Sequence, residues 1–206
     1  MTKRETSKDA VGAKIAGYLA DSDIEFDRPQ PDTFIAVLPG EHRLKTNVSI
    51  IVGDYSVSIN AFIIRNPDEN HAAVYKWLLK RNRRMYAVSY AIDHLGDVYL
   101  VGKVAPGAID DAELDRILGT ILENSDGAFD VLLELGFASA IAREWQWRIS
   151  RGESTKNLEA FRHFAADEVQ AAAPHFIVDQ HEQAGVAHHT NSSGRWVASN
   201  SLSTCA

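Results

Sequence analysis

Apolar and polar residues alternate through most of residues 34–104, and one aromatic, basic helical stretch interrupts them. The segment Tyr55-Ser-Val-Ser-Ile-Asn-Ala-Phe-Ile-Ile64 puts Tyr55, Val57, Ile59, Ala61 and Ile63 on one side. Ser56, Ser58 and Asn60 fall on the other. Period-two patterning of this kind belongs to a sheet with one face buried and one face near water.

The remaining elements follow from spacing. Val11, Ile15, Tyr18 and Leu19 recur at helical intervals, so residues 9–19 form a first helix. Residues 24–26 read as a brief strand, and Pro29 and Pro31 then fix an extended link. Residues 33–38 form a strand stopped by Pro39-Gly40. Residues 45–52 and 55–64 pair as a hairpin around Gly53-Asp54. In Asn66-Pro67-Asp68-Glu69 the pattern predicts a helix start, with Asn66 as cap and Pro67 in the first turn. That helix is expected to reach about Arg83 and to bury Val74, Tyr75, Trp77 and Leu78.

A second hairpin turns at His94-Leu-Gly-Asp97. Tyr86, Val88, Tyr90 and Ile92 face the core on one arm, and Val98, Leu100, Gly102 and Val104 on the other. Asp110 or Asp111 then caps a long helix, whose apolar stripe continues from Leu114 to Leu133 with Gly127 inside it or at a kink. Residues 137–149 continue as a tryptophan-rich helix, broken at Gly152.

This order gives an α+β fold: a single antiparallel sheet of about five strands with helices packed on one face. The expected organisation is an α+β domain with a helical extension over 1–155, an extra helix over 156–173 and a disordered tail over 174–206. The tail is expected to be disordered because His, Gln, Ser, Asn and Gly dominate it.

Composition narrows the function classes. With 206 residues, 45% hydrophobic and 24% charged, the chain can bury a real core. A net charge of −7 gives no general draw toward nucleic acid or anionic membrane. The one cysteine, Cys205, excludes an internal disulfide. The first residues lack the apolar core of a signal peptide, and no stretch reaches the roughly 20 apolar residues of a membrane span. A cytoplasmic location is the expectation.

Two stretches carry a family resemblance. One is Ala61-Phe-Ile-Ile-Arg-Asn-Pro-Asp-Glu-Asn-His-Ala-Ala-Val-Tyr-Lys-Trp-Leu-Leu-Lys-Arg-Asn82, and the other is Tyr90-Ala-Ile-Asp-His-Leu-Gly-Asp-Val-Tyr-Leu100. With the element order, they make residues 10–155 resemble the YbjN-domain family, in particular its actinobacterial branch. That family is described as bacterial sensory transduction regulators and shares its fold with type III secretion chaperones. The resemblance implies a type III secretion chaperone-like fold and supplies no catalytic residues.

Candidate chemistry is sparse. Asp93, His94 and Asp97 could form a general acid–base group. The same residue types also serve a hairpin turn by tolerating left-handed geometry and bonding their own backbone. His71 sits at a helix start already occupied by acids. Lys76, Lys80, Arg81, Arg83 and Arg84 give a local charge of +5 near a helix C-terminus, where cations suit the macrodipole. Opposite in sign is the helix from Asp110 to Glu134, with eight acids and one arginine. The pair suggests steering within a chain or across a dimer rather than nucleic-acid binding. Trp145 and Trp147 lie two apart, so they point to different sides, and one is a candidate for a partner surface. His181, His188 and His189 fall in the tail without a fixed metal geometry.

The leading expectation is a non-catalytic, chaperone-like or regulatory protein-binding module without cofactor or metal. Its partner is a protein segment or a second copy in a homodimer, with Arg81, Arg83, Arg84, Trp145 and Trp147 as partner-binding residues. Nucleic acid and membrane are not expected partners. The alternative is a small hydrolase-like enzyme using Asp93, His94 and Asp97.

Overall fold

The alternation resolves into six strands: β1 (Phe26–Gln30), β2 (Thr33–Pro39), β3 (Lys45–Val52), β4 (Val57–Ile64), β5 (Val88–Ile92) and β6 (Val98–Val104). The computed structural model describes residues 3–165. All neighbouring strands are antiparallel, in the order β1-β2-β3-β4-β6-β5. Four helices complete the described chain: α1 (Lys3–Asp21), α2 (His71–Asn82), α3 (Asp111–Asp126) and α4 (Phe129–Arg151). A 3₁₀ stretch, Lys156–Ala165, packs back on α4.

The inward face of the sheet carries Phe34, Ala36, Val48, Ile50, Val57, Ile59, Val98 and Leu100, all buried. Against it lie α1, α2 and α3, with Ile15, Leu19, Val74, Leu114, Ile117 and Ile121 sealed in the same core. Two polar side chains join this layer and satisfy each other, as the Thr46 hydroxyl donates to Ser125 Oγ at 3.0 Å. The fold class is therefore as expected: α+β, one antiparallel sheet, helices on one face.

The strand count is six rather than about five. The extra pairing comes from β1, which runs through Pro29 where a link was expected. An edge strand accepts proline because the missing donor faces no neighbour. In the first hairpin, Gly53 N–H donates to Ser56 O at 2.9 Å, so the turn is Asp54-Tyr55 and Tyr55 is exposed rather than a core residue. Tyr86 and Ile92 are likewise exposed: Tyr86 lies before β5, separated from it by Ala87 at φ 59°, and Ile92 is the last residue of the strand. Of the residues expected to be buried on α2, Val74 and Leu78 are, while Tyr75 and Trp77 are half-buried.

Helix α2 begins at His71, not at Pro67. The capping residues are engaged elsewhere. The N–H groups of Asp68 and Glu69 both donate to Gly136 O, at 2.9 and 3.2 Å. The Glu69 carboxylate accepts from Ser139 N–H and Oγ, at 2.7 and 2.8 Å. Glu69 thus caps the second half of α4, which kinks at Phe137 (φ −143°, ψ 15°). Gly136 is required there because a Cβ would come within 2.9 Å of Pro67 Cβ.

Asp110 caps α3 as expected, its carboxylate accepting from Glu113 N–H at 2.8 Å. The long stripe breaks into two helices at Gly127-Ala128, the glycine that was expected inside the helix or at a kink. Gly152 ends α4 in the left-handed region (φ 68°). Beyond it, the described part of the extra helix expected over 156–173 is 3₁₀, Lys156–Ala165. The remainder of that helix, the tail and His181, His188 and His189 lie outside the described residues.

Candidate binding surfaces

The expected acid–base group is a turn. Asp93 Oδ1 accepts from the N–H groups of Leu95 and Asp97, at 2.9 and 3.0 Å. Asp97 Oδ1 accepts from Asn66 N–H at 2.7 Å, tying the hairpin tip to the β4–α2 linker. Gly96 supplies the positive φ, 85°. His94 is exposed at the tip. Asp93 borders a shallow hollow on the sheet surface beside Asn60, Ile92 and Val101, which His94 and Asp97 do not line. Nothing brings these groups together on a common reacting atom.

The basic run divides into two parts. Arg81 is engaged within the chain. Its Nε donates to Asn124 Oδ1 at 3.1 Å, its terminal nitrogen lies 4.0 Å from Glu123, and it covers the Trp77 ring at 5.6 Å. The opposed charges of α2 and α3 thus meet partly within one molecule. Arg83 and Arg84 stay exposed past the end of α2. The tryptophans separate as their spacing required. Trp145 is 5% exposed and Trp147 44%, with Arg151 over the Trp147 ring.

Two surfaces remain, one the polar sheet face already marked in the sequence by Ser58 and Asn60, the other a cleft that the sequence reading did not single out. The first is the sheet face opposite the helices, which is uncovered among the described residues. Asn47, Ser49, Ser58 and Asn60 occupy its middle strands, and Ile51 and Val101 stand exposed among them. Phe62 and Tyr99 meet edge-on at one end, with ring centroids 5.5 Å apart.

The second is a cleft of about 620 Å³ at that same end. It exists because β3 and β4 part company. Their ladder stops at Val48↔Ala61, although β3 starts at Lys45 and β4 runs on to Ile64. The β4–β6 pairing also skips Ile63. Phe62 on one side, Leu133, Phe137, Ala140 and Ile141 of α4 on another, and Leu158 of the 3₁₀ stretch wall the opening.

Arg43 lies within it, half-buried. Its guanidinium donates to Ile63 O at 2.7 Å and sits 5.7 Å from the ring centres of both Phe62 and Phe129. Burial pulls its pKa below the usual arginine value.

The loop that carries Arg43 is latched to the α3–α4 junction. Asp126 Oδ1 accepts from the N–H groups of His42 and Arg43, at 2.9 and 2.8 Å. Burial works to raise the Asp126 pKa, but the backbone donors of Arg43, Glu41 and His42 outweigh it and leave the carboxyl below its ordinary value. His42 Nδ1 lies 2.7 Å from Asp130 Oδ2, and that hydrogen bond raises the imidazole pKa.

No helix among the described residues is long and apolar enough to cross a membrane. Residues 13–134 match the YbjN family model, described as "Putative bacterial sensory transduction regulator". An uncharacterised protein of Mycobacterium leprae is 54% identical over 134 residues, 65% of this chain and 73% of the relative. One of Mycobacterium tuberculosis is 54% identical over 142 residues, 69% of this chain and 78% of the relative.

Among solved structures, a chain of the heterodimeric ExoU–SpcU complex from the type III secretion system of Pseudomonas aeruginosa aligns with TM-score 0.43 and 18% identity. The alignment covers 54% of this chain and 91% of that one. A chain of the ExsC–ExsE complex aligns with TM-score 0.46 and 13% identity, over 60% of this chain and 93% of that one. Likeness this distant says nothing about partners. The family match and the mycobacterial relatives are decisive: this chain belongs to the YbjN family.

Proposed function

We propose that this chain is a non-catalytic, cytoplasmic protein-binding module of chaperone-like or regulatory type. The observation that carries the reading is the uncovered sheet face, where Ile51, Phe62 and Val101 are exposed between small polar side chains. Exposed apolar side chains ringed by polar ones suit a surface that a partner covers. The enzyme alternative has no comparable support, since the Asp93 and Asp97 carboxylates are engaged by backbone N–H groups.

The test is cross-linked affinity capture with quantitative mass spectrometry, comparing the full chain with an Ile51→Arg, Val101→Arg double variant. A protein captured by the first and lost by the folded second is the expected result. Identical capture by both would overturn the assignment to this face. Turnover of a hydrolase substrate that disappears with His94→Ala would establish the enzyme instead.

A second reading, self-association, draws on Arg83 and Arg84. They are the cations of the basic run that remain exposed past α2 while Arg81 is held by α3. A homodimer would place them against acidic residues of a second copy.

A further inference from the structure

The cleft beside Phe62 contains three charged side chains, and their states differ. Arg65 is held by Asp68 through two hydrogen bonds, at 2.6 and 2.8 Å. Glu144 is held by Arg148 at 2.6 Å. Arg43 is the third. Among the described residues no ion pair reaches it, and its one side-chain hydrogen bond goes to a neutral carbonyl. A half-buried cation without a counter-charge forfeits hydration and gains little in return. Two phenyl rings and one carbonyl recover only part of that loss. The guanidinium keeps donors to spare, in a geometry that suits a carboxylate.

We infer that this cleft is a docking site for a partner protein's extended segment, one that sets an Asp or Glu carboxylate on Arg43 and apolar side chains against Leu133, Phe137 and Ile141. The inference rests on the protein-binding reading above and gives it a second, specific location. Charge complementarity selects the acid. The walls select its apolar neighbours, because the cleft is lined mostly by aromatic and aliphatic side chains. Main-chain geometry selects a peptide over a compact molecule. Beyond Ala61 the β4 strand has no β3 ladder partner, and with the Ile63 carbonyl already held by Arg43 the open strand side alongside Phe62 suits an extended segment. The volume, about 620 Å³, holds a few side chains and not a folded domain.

The occupant's charge is specified as much as its shape. An apolar segment without an acid would bury Arg43 further with no compensation, and a basic segment would add repulsion. Discrimination therefore comes from the cost of leaving one charge unpaired.

The test uses the full chain and a phage-displayed library of random linear peptides. Enriched sequences are synthesised with a fluorescent label and titrated by polarisation. The expected motif holds an acid within about three residues of two large apolar side chains, the reach of an extended segment across the cleft. Arg43→Glu should weaken binding at least tenfold, on the order expected for losing a desolvated charge pair. Changing the peptide's acid to Lys should restore binding to Arg43→Glu. That rescue also shows the variant is folded. Leu133→Arg should abolish binding of either peptide.

Enriched peptides that lack an acid, or that bind Arg43→Glu as tightly as the parent chain, would overturn this site. In that case, sensitivity to Ile51→Arg would leave the protein-binding reading intact on the sheet face. A library from which no peptide binds would overturn both.

Discussion

The two faces of the sheet come from the same strands and are built on opposite rules. The inner face is uniform: Val48, Ile50, Val57, Ile59 and Leu100 are 3% exposed or less, and three helices cover them. On the outer face Ser49, Ser58 and Asn60 alternate with those same residues, and Ile51 is 42% exposed. The strands bury their inward apolar side chains completely, while the outer face mixes small polar residues with the exposed Ile51 and Val101, and with Phe62 and Tyr99 at one end. Stability resides in the first surface, and the proposed recognition in the second. Substitutions of the same kind should therefore have very different consequences on each.

The sharpest test of that contrast is a buried charge. Leu118→Asp places a carboxylate on the core face of α3, where Leu118 is 4% exposed within the apolar cluster. An unpaired acid there should cost several kcal/mol, of order 3–5. Val101→Asp, on the outer face at 37% exposure, should change stability by about 0.5 kcal/mol or less. Urea unfolding of both variants checks the pair. Equal losses would mean the outer face is covered in solution, and an unchanged Leu118→Asp would remove α3 from the core.

The next effect concerns the loop that delivers Arg43 to the cleft. Asp126→Ala leaves the His42 and Arg43 N–H groups without their acceptor and should cost about 1–3 kcal/mol. The acidic and neutral limbs of the pH profile differ in sign. Asp126 is depressed below 3.8, so its contribution is present above that value and is lost as pH falls through the folded pKa. His42 is raised above 6.5, so its pairing with Asp130 is full below 6.5 and lost as pH rises through the folded pKa. The loop is held most firmly between the two titrations. Hydrogen exchange of the 41–44 amides against pH should show protection falling at both ends. His42→Ala should remove only the upper limb, and a flat profile would show the latch is not electrostatic.

How much of this was legible in the chain follows from which signals are local. The strands from Thr33 to Ile64 and the stripe Leu114–Leu118–Ile121 could be read because each residue's burial repeats at the period of its own element. The start of α2 could not. Asn66-Pro67-Asp68-Glu69 has good capping chemistry, but the distant β5–β6 hairpin engages Asn66 and α4 engages Asp68 and Glu69. Strand β1 was legible only at Phe26, since its remaining positions are exposed and carry no pattern. The cleft was invisible for a related reason. Arg43 sits in an unpatterned loop, and its neighbours Phe62 and Phe129 come from a strand and a helix that no local spacing connects. The Asp93–Asp97 turn went the other way, because the bonds that shape it run from Asp93 to Leu95 and Asp97, and only the two from Asn66 are distant.

The smallest expected effect lies on the rim of the molecule, where Arg83 and Arg84 extend the contrast between engaged and free groups to the helices. Arg81 is tied to Asn124 and Glu123, so reversing it disturbs α2 against α3 within the monomer. Arg83→Glu with Arg84→Glu touches neither contact and should change stability by no more than about 0.5 kcal/mol, because the side chains are exposed. If the homodimer forms through these cations, the double variant should weaken it while the monomer stays folded. Association of the parent chain should also weaken with salt, since exposed charges are screened beyond about 8 Å at physiological ionic strength. Light scattering at micromolar concentration separates the cases. A mass of twice 22.7 kDa in low salt that falls toward 22.7 kDa in the double variant is the expected result. A mass of 22.7 kDa for the parent chain in low salt would assign Arg83 and Arg84 to the α2 dipole or to a different partner, and the sheet end to recognition by itself.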